Sequence, residues 1–228
     1  MLDQKKHRKI LFEIIRDIYN SPAGAWLGFK GGTMLYFFYG LDRFSVDLDF
    51  DLLNQEKSKE IFGEVRSILK KYGTIEDEMD KNFTILFELR YETGMQSVKV
   101  EINKRTTKNN TYEMKNFYGI SVKTLAISDS FAHKLIAAMN RKSVANRDFY
   151  DIWFLFKKGV DINEKILMEI TGKESREYCR DLRSFIEKNF SESNPLAGLG
   201  ELIDKSKKDW VKKFLKQELL AQIDFFSN

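Results

Sequence analysis

At 228 residues with 43% hydrophobic residues, the chain has enough apolar material for one large domain or two small lobes with a substantial core, which excludes a disordered chain. Charged residues make up 32% yet the net charge is only +4, so general attraction to nucleic acid is modest and any polyanion contact must come from local clustering. A single cysteine, Cys179, excludes an intrachain disulfide framework and fits a reducing compartment. No apolar run approaches membrane-spanning length, and at the N-terminus Lys5, Lys6, Arg8 and Lys9 precede an amphipathic stretch rather than a signal-peptide core, so a cytoplasmic chain without a membrane contact is expected.

Ile10, Leu11, Ile14, Ile15 and Ile18 recur at helical spacing over residues 4–19, and Asn20-Ser21-Pro22 ends that helix. Residues 25–29 predict a short buried strand, Gly31 and Gly32 a turn, and residues 33–39 two helical turns. Over residues 45–51, Val46, Leu48 and Phe50 alternate with Ser45, Asp47, Asp49 and Asp51, the pattern of a strand with one apolar and one acidic face. Asn54 is placed to cap a helix running through Ile61, Val65, Ile68 and Leu69, with Gly73 just past its end. Residues 83–91 and 96–102, turned by Thr93-Gly94, predict a β-hairpin whose return strand carries Glu101. Residues 103–116 are polar, basic and turn-rich and predict a mobile loop, and residues 120–125 predict one more strand. From there helices are expected at about 129–142, 145–158, 163–171, 175–189 and 200–226. The division is an α/β lobe over residues 1–125 and an all-helical lobe over residues 126–228, an α+β class with the ligand expected in the cleft between lobes.

Two features carry chemistry. Carboxylates two apart on a strand lie about 7 Å from each other, and Asp is disfavoured in strands, so stacking Asp47, Asp49 and Asp51 invites a cation. Mg²⁺ suits hard oxygen ligands and is usually completed by substrate phosphates. The Gly31-Gly32 turn at the start of a helix exposes backbone N–H groups at a positive dipole end, an anion site to which Thr33 adds a hydroxyl. A phosphate cradle beside stacked acids points to phosphoryl chemistry on a nucleotide. Lys134, Ala138 and Arg141 share a helix face, a stripe that is either solvated or aimed at phosphate, and Asp151 is spaced to pair with Arg147 at i+4. Neither histidine, His7 nor His133, has metal-ligand spacing, and of the aromatics Tyr150 alone is a candidate base-stacking platform.

Lys30-Gly-Gly-Thr33 followed by Arg43-Phe-Ser45-Val-Asp47-Leu-Asp49-Phe resembles the signature of the DNA polymerase β-like nucleotidyltransferase superfamily. Asp129-x4-Lys134 and Arg147-Asp148-Phe-Tyr-Asp151 are similar to elements of the AbiEii-type toxins of bacterial type IV toxin-antitoxin systems. The resemblance implies a polymerase β-like nucleotidyltransferase lobe with a small mixed sheet. It further implies two Mg²⁺ ions held by Asp47, Asp49 and Glu101, and a nucleoside triphosphate substrate bound at Gly31, Gly32, Thr33 and Ser45 and clamped by Lys134 and Arg147. Asp148 and Asp151, one turn apart on their helix, would either help activate an acceptor hydroxyl or serve in pairing, and Asp51 would stand behind the ligands or at the surface. The implied acceptor is RNA, a tRNA end among the candidates, and the implied partner is a cognate antitoxin; the basic loop at Lys104, Arg105 and Lys108 is expected, from its charge, to contact a polyanionic acceptor. The alternatives are transfer to a small molecule or protein, and a non-catalytic nucleotide- or RNA-binding relative.

Overall fold

A computed structural model describes residues 2–105, 107–141 and 145–227. The backbone groups into two units, one made of Met1–Gly40, Phe44–Thr107 and Thr111–Leu125, the other of Leu41–Arg43, Lys108–Asn110 and Ala126–Asn228.

The first unit is built on a seven-stranded mixed sheet. Its strands are β1 (Leu27–Lys30), β2 (Leu48–Leu52), β3 (Thr74–Asp80), β4 (Thr84–Arg90), β5 (Val98–Asn103), β6 (Tyr112–Phe117) and β7 (Ile120–Leu125), in the order β3-β4-β5-β2-β1-β7-β6. β2 lies near the middle, antiparallel to β1 and parallel to β5, and β1 runs parallel to β7. The period of two decides what each strand buries: Leu48, Phe50 and Leu52 of β2, Ile85, Phe87 and Leu89 of β4, and Val98, Val100 and Ile102 of β5 are fully buried. Helix α1 (Gln4–Tyr19), started by the Asp3 carboxylate accepting from the Lys5 and Lys6 amides, buries Leu11, Ile14, Ile15 and Ile18. Helix α3 (Ser58–Leu69) contacts α1 and buries Ile61, Val65, Ile68 and Leu69. Between β1 and β2 the chain forms helix α2 (Gly31–Tyr39), ended by Gly40 in the left-handed conformation.

Several elements differ from the sequence-based expectation, among them β2, which starts at Leu48 rather than at 45, and α3, which starts at Ser58 because Asn54 caps a separate 3₁₀ turn over Gln55–Lys57. The chain enters β1 through a 3₁₀ turn over Pro22–Trp26, so the strand starts at Leu27 rather than at 25. Residues 74–80 form the edge strand β3, although Glu and Asp are poor strand formers; its carboxylates are matched by ion pairs from Arg90 to Glu76 and Arg66 to Glu78. An edge strand rich in charge is also one that resists pairing with other chains. Residues 112–116, expected as loop, belong to β6 at the opposite edge. Lys104, expected on a mobile basic loop, is paired with Asp80 of β3, and the Arg105 guanidinium lies 4.3 Å from the Phe83 ring centroid.

The second unit is helical, with α4 (Ile127–Asn140), α5 (Asn146–Lys157), α6 (Glu164–Thr171), α7 (Ser175–Asn189) and α8 (Lys205–Ser227). Phe131, Leu135, Phe149, Ile152, Leu182, Leu215 and Leu219 form much of its core. Tyr150 also belongs there: it is fully buried, its hydroxyl donates to Asp42 at 2.6 Å, and its ring packs on Trp153, so it is not a base-stacking platform. Cys179 is buried and its thiol is pushed up to about 12 by burial, which makes it inert. No helix among the described residues is long and apolar enough to cross a membrane.

His7 of α1 is fully buried, with Nδ1 3.0 Å from the Tyr91 hydroxyl and Nε2 2.9 Å from the Val46 carbonyl oxygen. Burial lowers its pKa below the ordinary 6.5, against a smaller opposing effect of the Val46 carbonyl. The unfolded chain therefore binds the proton first, and His7 destabilises the fold as pH falls from about 6.5 toward the lowered folded value. Urea unfolding between pH 7.5 and 5 should show wild type losing stability on acidification and His7→Asn losing measurably less.

Candidate active site

The acidic face of β2 is positioned by register. Asp49 stands opposite Lys30 of β1 on one side and Glu101 of β5 on the other, and Asp51 stands opposite Gly28 and Asn103. Register partners on adjacent strands point to the same face with Cα atoms about 4.8 Å apart, so the Asp49 and Glu101 carboxylates are neighbours, both half-buried. Asp47 lies two residues before Asp49, just ahead of β2, and its Oδ1 accepts from the Lys99 amide at 3.4 Å.

Asp51 is a different kind of acid. It is 2% exposed, and its oxygens take the Lys30 ammonium at 2.5 Å, the Tyr112 hydroxyl at 2.9 Å and the Asn103 amide at 3.2 Å. Its charge is absorbed into the sheet, so it stands neither at the surface nor with the half-buried acids. Sequence spacing cannot separate it from Asp49; the separating partners come from β1, β5 and β6.

Helix α2 begins against the same face. Gly31 has φ of +80°, and a Cβ placed on it would lie 2.1 Å from Asp49 Oδ2. Glycine is required twice over, by the left-handed backbone and by the carboxylate filling the space a side chain would take. The residue preceding the helix, Lys30, provides no side-chain cap, so the first amides of α2 are presented as an anion site. Thr33 is fully buried and its hydroxyl donates to the Asp47 backbone carbonyl. Through that bond the side chain ties α2 to the start of the acidic strand. Ser45 is buried on the segment leading into β2.

In the helical unit, Asp151 is the centre of a buried ionic cluster. Arg43 donates to it twice, from Nε at 2.6 Å and Nη2 at 2.7 Å, and Lys134 Nζ lies 2.7 Å from Oδ2. Burial alone would raise the Asp151 carboxyl, but the two cations outweigh it and hold the group at about 2. The expected pairing of Asp151 with Arg147 is therefore replaced by Arg43 and Lys134. Arg43, which in the sequence only opens the Arg43–Phe50 signature, carries a role the sequence did not disclose; the bond spans 108 positions and no local signal announces it. Arg147 is half-buried in the first turn of α5, its stem running past Gly198. Asp148 is 2% exposed, with Arg141 Nε 3.3 Å from an Oδ2 that lacks a hydrogen bond. Arg141 thus serves Asp148.

The donor set fits a hard divalent cation by chemistry and placement: oxygen donors only, two of them side by side in register, beside an anion-binding helix start. Among the described residues no three acid, histidine or cysteine side chains already converge as a metal-holding group.

A mixed sheet carrying paired carboxylates beside a glycine-opened helix is the arrangement of a nucleotidyltransferase lobe. The sequence profile of the AbiEii nucleotidyl transferase toxins of type IV toxin-antitoxin systems matches residues 13–224, and the chain belongs to that family. It is a nucleotidyltransferase by that membership. Similar solved structures are JHP933 from Helicobacter pylori, 20% identical over 98% of this chain and 91% of that one with a TM-score of 0.64, and a second H. pylori chain assigned to the nucleotidyltransferases, 21% identical over 99% and 98% with a TM-score of 0.60. An antigenic nucleotidyltransferase-like protein from Paracoccidioides brasiliensis is 16% identical over 90% of this chain and 97% of that one, with a TM-score of 0.51. At these identities the likeness shows the fold. No curated protein matches the chain.

Asp151→Asn removes the counter-charge of a guanidinium that is almost wholly buried. The expected cost is about 3–5 kcal/mol, read as a lower urea midpoint, with the loss carried by signals from Trp153 and Trp210 of the helical unit.

Proposed function

We propose that this protein moves a nucleoside monophosphate from a nucleoside triphosphate to a hydroxyl of RNA, releasing pyrophosphate, and that it does so in the cytoplasm as a toxin restrained by a cognate antitoxin. The observation that carries the reading is the Asp49–Glu101 register pair lying against the start of α2, where the missing Gly31 side chain leaves room for the Asp49 carboxylate. A tRNA end is one acceptor of the right chemistry.

In this reading the first amides of α2, at Gly31, Gly32 and Thr33, hold phosphate oxygens, and Ser45 is assigned a further phosphate contact. Thr33, through its bond to the Asp47 carbonyl, keeps that helix start and the acidic strand in one geometry. Asp47, Asp49 and Glu101 would hold Mg²⁺, one ion or two, which when bound neutralises polyphosphate charge and acidifies an attacking hydroxyl. Glu101, the carboxylate on β5, receives the proton of the acceptor hydroxyl as it attacks the α-phosphorus. Lys134 and Arg147 are the side-chain donors assigned to the triphosphate. The Lys134 side chain is 16% exposed and is held by its bond to Asp151. Asp148, buried beside Arg141, is the acid assigned to help activate the acceptor hydroxyl.

Incubation with each α-labelled triphosphate, Mg²⁺ and either total RNA or a metabolite extract tests the reading. Label should enter RNA, and Asp47→Ala and Asp49→Ala should each abolish transfer while the melting temperature holds or rises, because removing an acid relieves like-charge repulsion. Glu101→Gln should lose turnover by at least a hundredfold and keep the triphosphate bound. Undiminished transfer in either aspartate variant overturns the assignment of the acids, and label in a metabolite overturns the acceptor.

Gly31→Ala examines the helix start separately. Its backbone penalty is about 1–2 kcal/mol, a few degrees in melting temperature, whereas the displaced Asp49 carboxylate should reduce transfer far more than that loss of stability can explain.

A further inference from the structure

The turn between β6 and β7 is unusually costly. Phe117 and Ile120 are register partners, so Tyr118 and Gly119 form a two-residue hairpin loop, with φ of +51° and +91°. Such loops need positive φ at both central positions and favour Asn-Gly or Asp-Gly. A tyrosine there is an outlier, and backbone outliers of this kind gather at functional sites. Nor is the cost offset by burial, since Tyr118 is 75% exposed.

The strained residue stands in an aromatic cluster edged by cations. The Tyr118 ring meets Phe12 of α1 edge-on at 5.4 Å, Phe117 lies 5.1 Å from Phe37 of α2, and the Arg8 guanidinium lies 5.9 Å from the neighbouring Tyr36 ring. Lys5, Arg8, Lys9, Phe12, Phe37 and Tyr118 line a cavity of about 340 Å³, all within the sheet-containing unit. Lys5, Arg8 and Lys9 are exposed, and of the three only Lys9 has an ion-pair partner among the described residues, Glu13 at 3.9 Å.

We propose that this surface binds a single-stranded segment of RNA, with Lys5, Arg8 and Lys9 on successive phosphates and an unpaired base against Tyr118; the proposal rests on RNA being the acceptor. Cations alternating with exposed π faces are what a flexible strand requires, because every base can stack and every linkage is anionic. A bilayer is less well served: the aliphatic residues of α1 (Leu11, Ile14, Ile15 and Ile18) are buried, so the surface offers a membrane no aliphatic face. The basic segment after β5 is a weaker candidate, because Lys104 is committed to Asp80.

The test is fluorescence anisotropy of a labelled oligouridylate 12-mer with the complete chain and no nucleotide, across a salt series. Lys5→Ala/Arg8→Ala/Lys9→Ala should flatten the slope of log affinity against log salt by about 0.7 for each lost phosphate contact, about 2 in all. Tyr118→Asn should weaken binding about tenfold without lowering the melting temperature, since Asn suits the turn better than Tyr. Unchanged affinity in both variants overturns the proposal. So does a loss of binding in Tyr118→Asn that only tracks a fall in melting temperature, which would make the ring structural. Wild-type binding to phosphatidylserine vesicles in place of the oligonucleotide would also overturn it. If RNA is labelled in transfer assays while both variants bind the 12-mer as wild type does, this surface fails and the acceptor stands. If the variants behave as expected and no RNA is labelled, the surface stands and the acceptor reading fails.

Discussion

The register of β2 between β1 and β5 is the constraint on which the first unit depends. Leu48, Phe50 and Leu52 leave no solvent-exposed surface, while Asp49 sits between them on the opposite face. A slip of one residue would drive acids into the apolar layer and expose two leucines and a phenylalanine, a cost of several kcal/mol for the apolar side chains alone. The same register that buries those side chains also sets Asp49 beside Glu101, so hydrophobic burial is what holds two like charges next to one another. The repulsion at the acidic face is thereby sustained by the opposite face of the same strand.

The acids of this protein divide by what surrounds them rather than by where they fall in sequence. Asp51 is enclosed by an ammonium, a phenol and an amide, and Asp151 by a guanidinium and an ammonium, so each has its charge answered within its own unit. Such groups stabilise only because their partners are present; they make poor metal ligands, since a cation would have to displace bonds already made in a low-dielectric setting. Asp49 is placed differently, against a glycine kept bare of side chain and beside a second carboxylate.

This contrast also explains what could be read from sequence. The alternation of Leu48, Asp49 and Phe50 and of both arms of the hairpin that became β4 and β5 was legible, because period-two burial leaves a mark on composition, whereas residues 45–47, read as part of the same strand, precede β2 with Ser45 buried and Val46 half-buried. The helices α5, α6 and α7 lie within a residue of the expected spans, since each carries an apolar stripe of three to four residues per two turns. β3 and β6 were not legible: both are edges whose exposed faces hold Glu, Asp, Lys and Asn, so propensity argued against strands that pairing with β4 and β7 supplies. The Arg43–Asp151 bond was hidden for another reason. An i+4 pairing with Arg147 satisfies local geometry equally well, and only the tertiary fold brings Arg43 to Asp151.

The interval between Gly31 and Asp49 can be understood from Thr33. Its buried hydroxyl reaches the carbonyl of Asp47, two residues before the acid that fills the space beside Gly31. Helix start and strand start are thus joined at two points, one a hydrogen bond and one a close contact that only glycine permits. Two points of attachment fix the direction of the α2 amides relative to the carboxylates more firmly than a loop could, and orientation errors of even 1 Å are costly in phosphoryl chemistry. Helix α2 has only nine residues and a largely apolar sequence, so little in its own propensity anchors it. Its buried Met34 and Leu35 and its ties to Asp47 and Asp49 do so instead, which makes the acidic strand the support of the anion site as well as its neighbour.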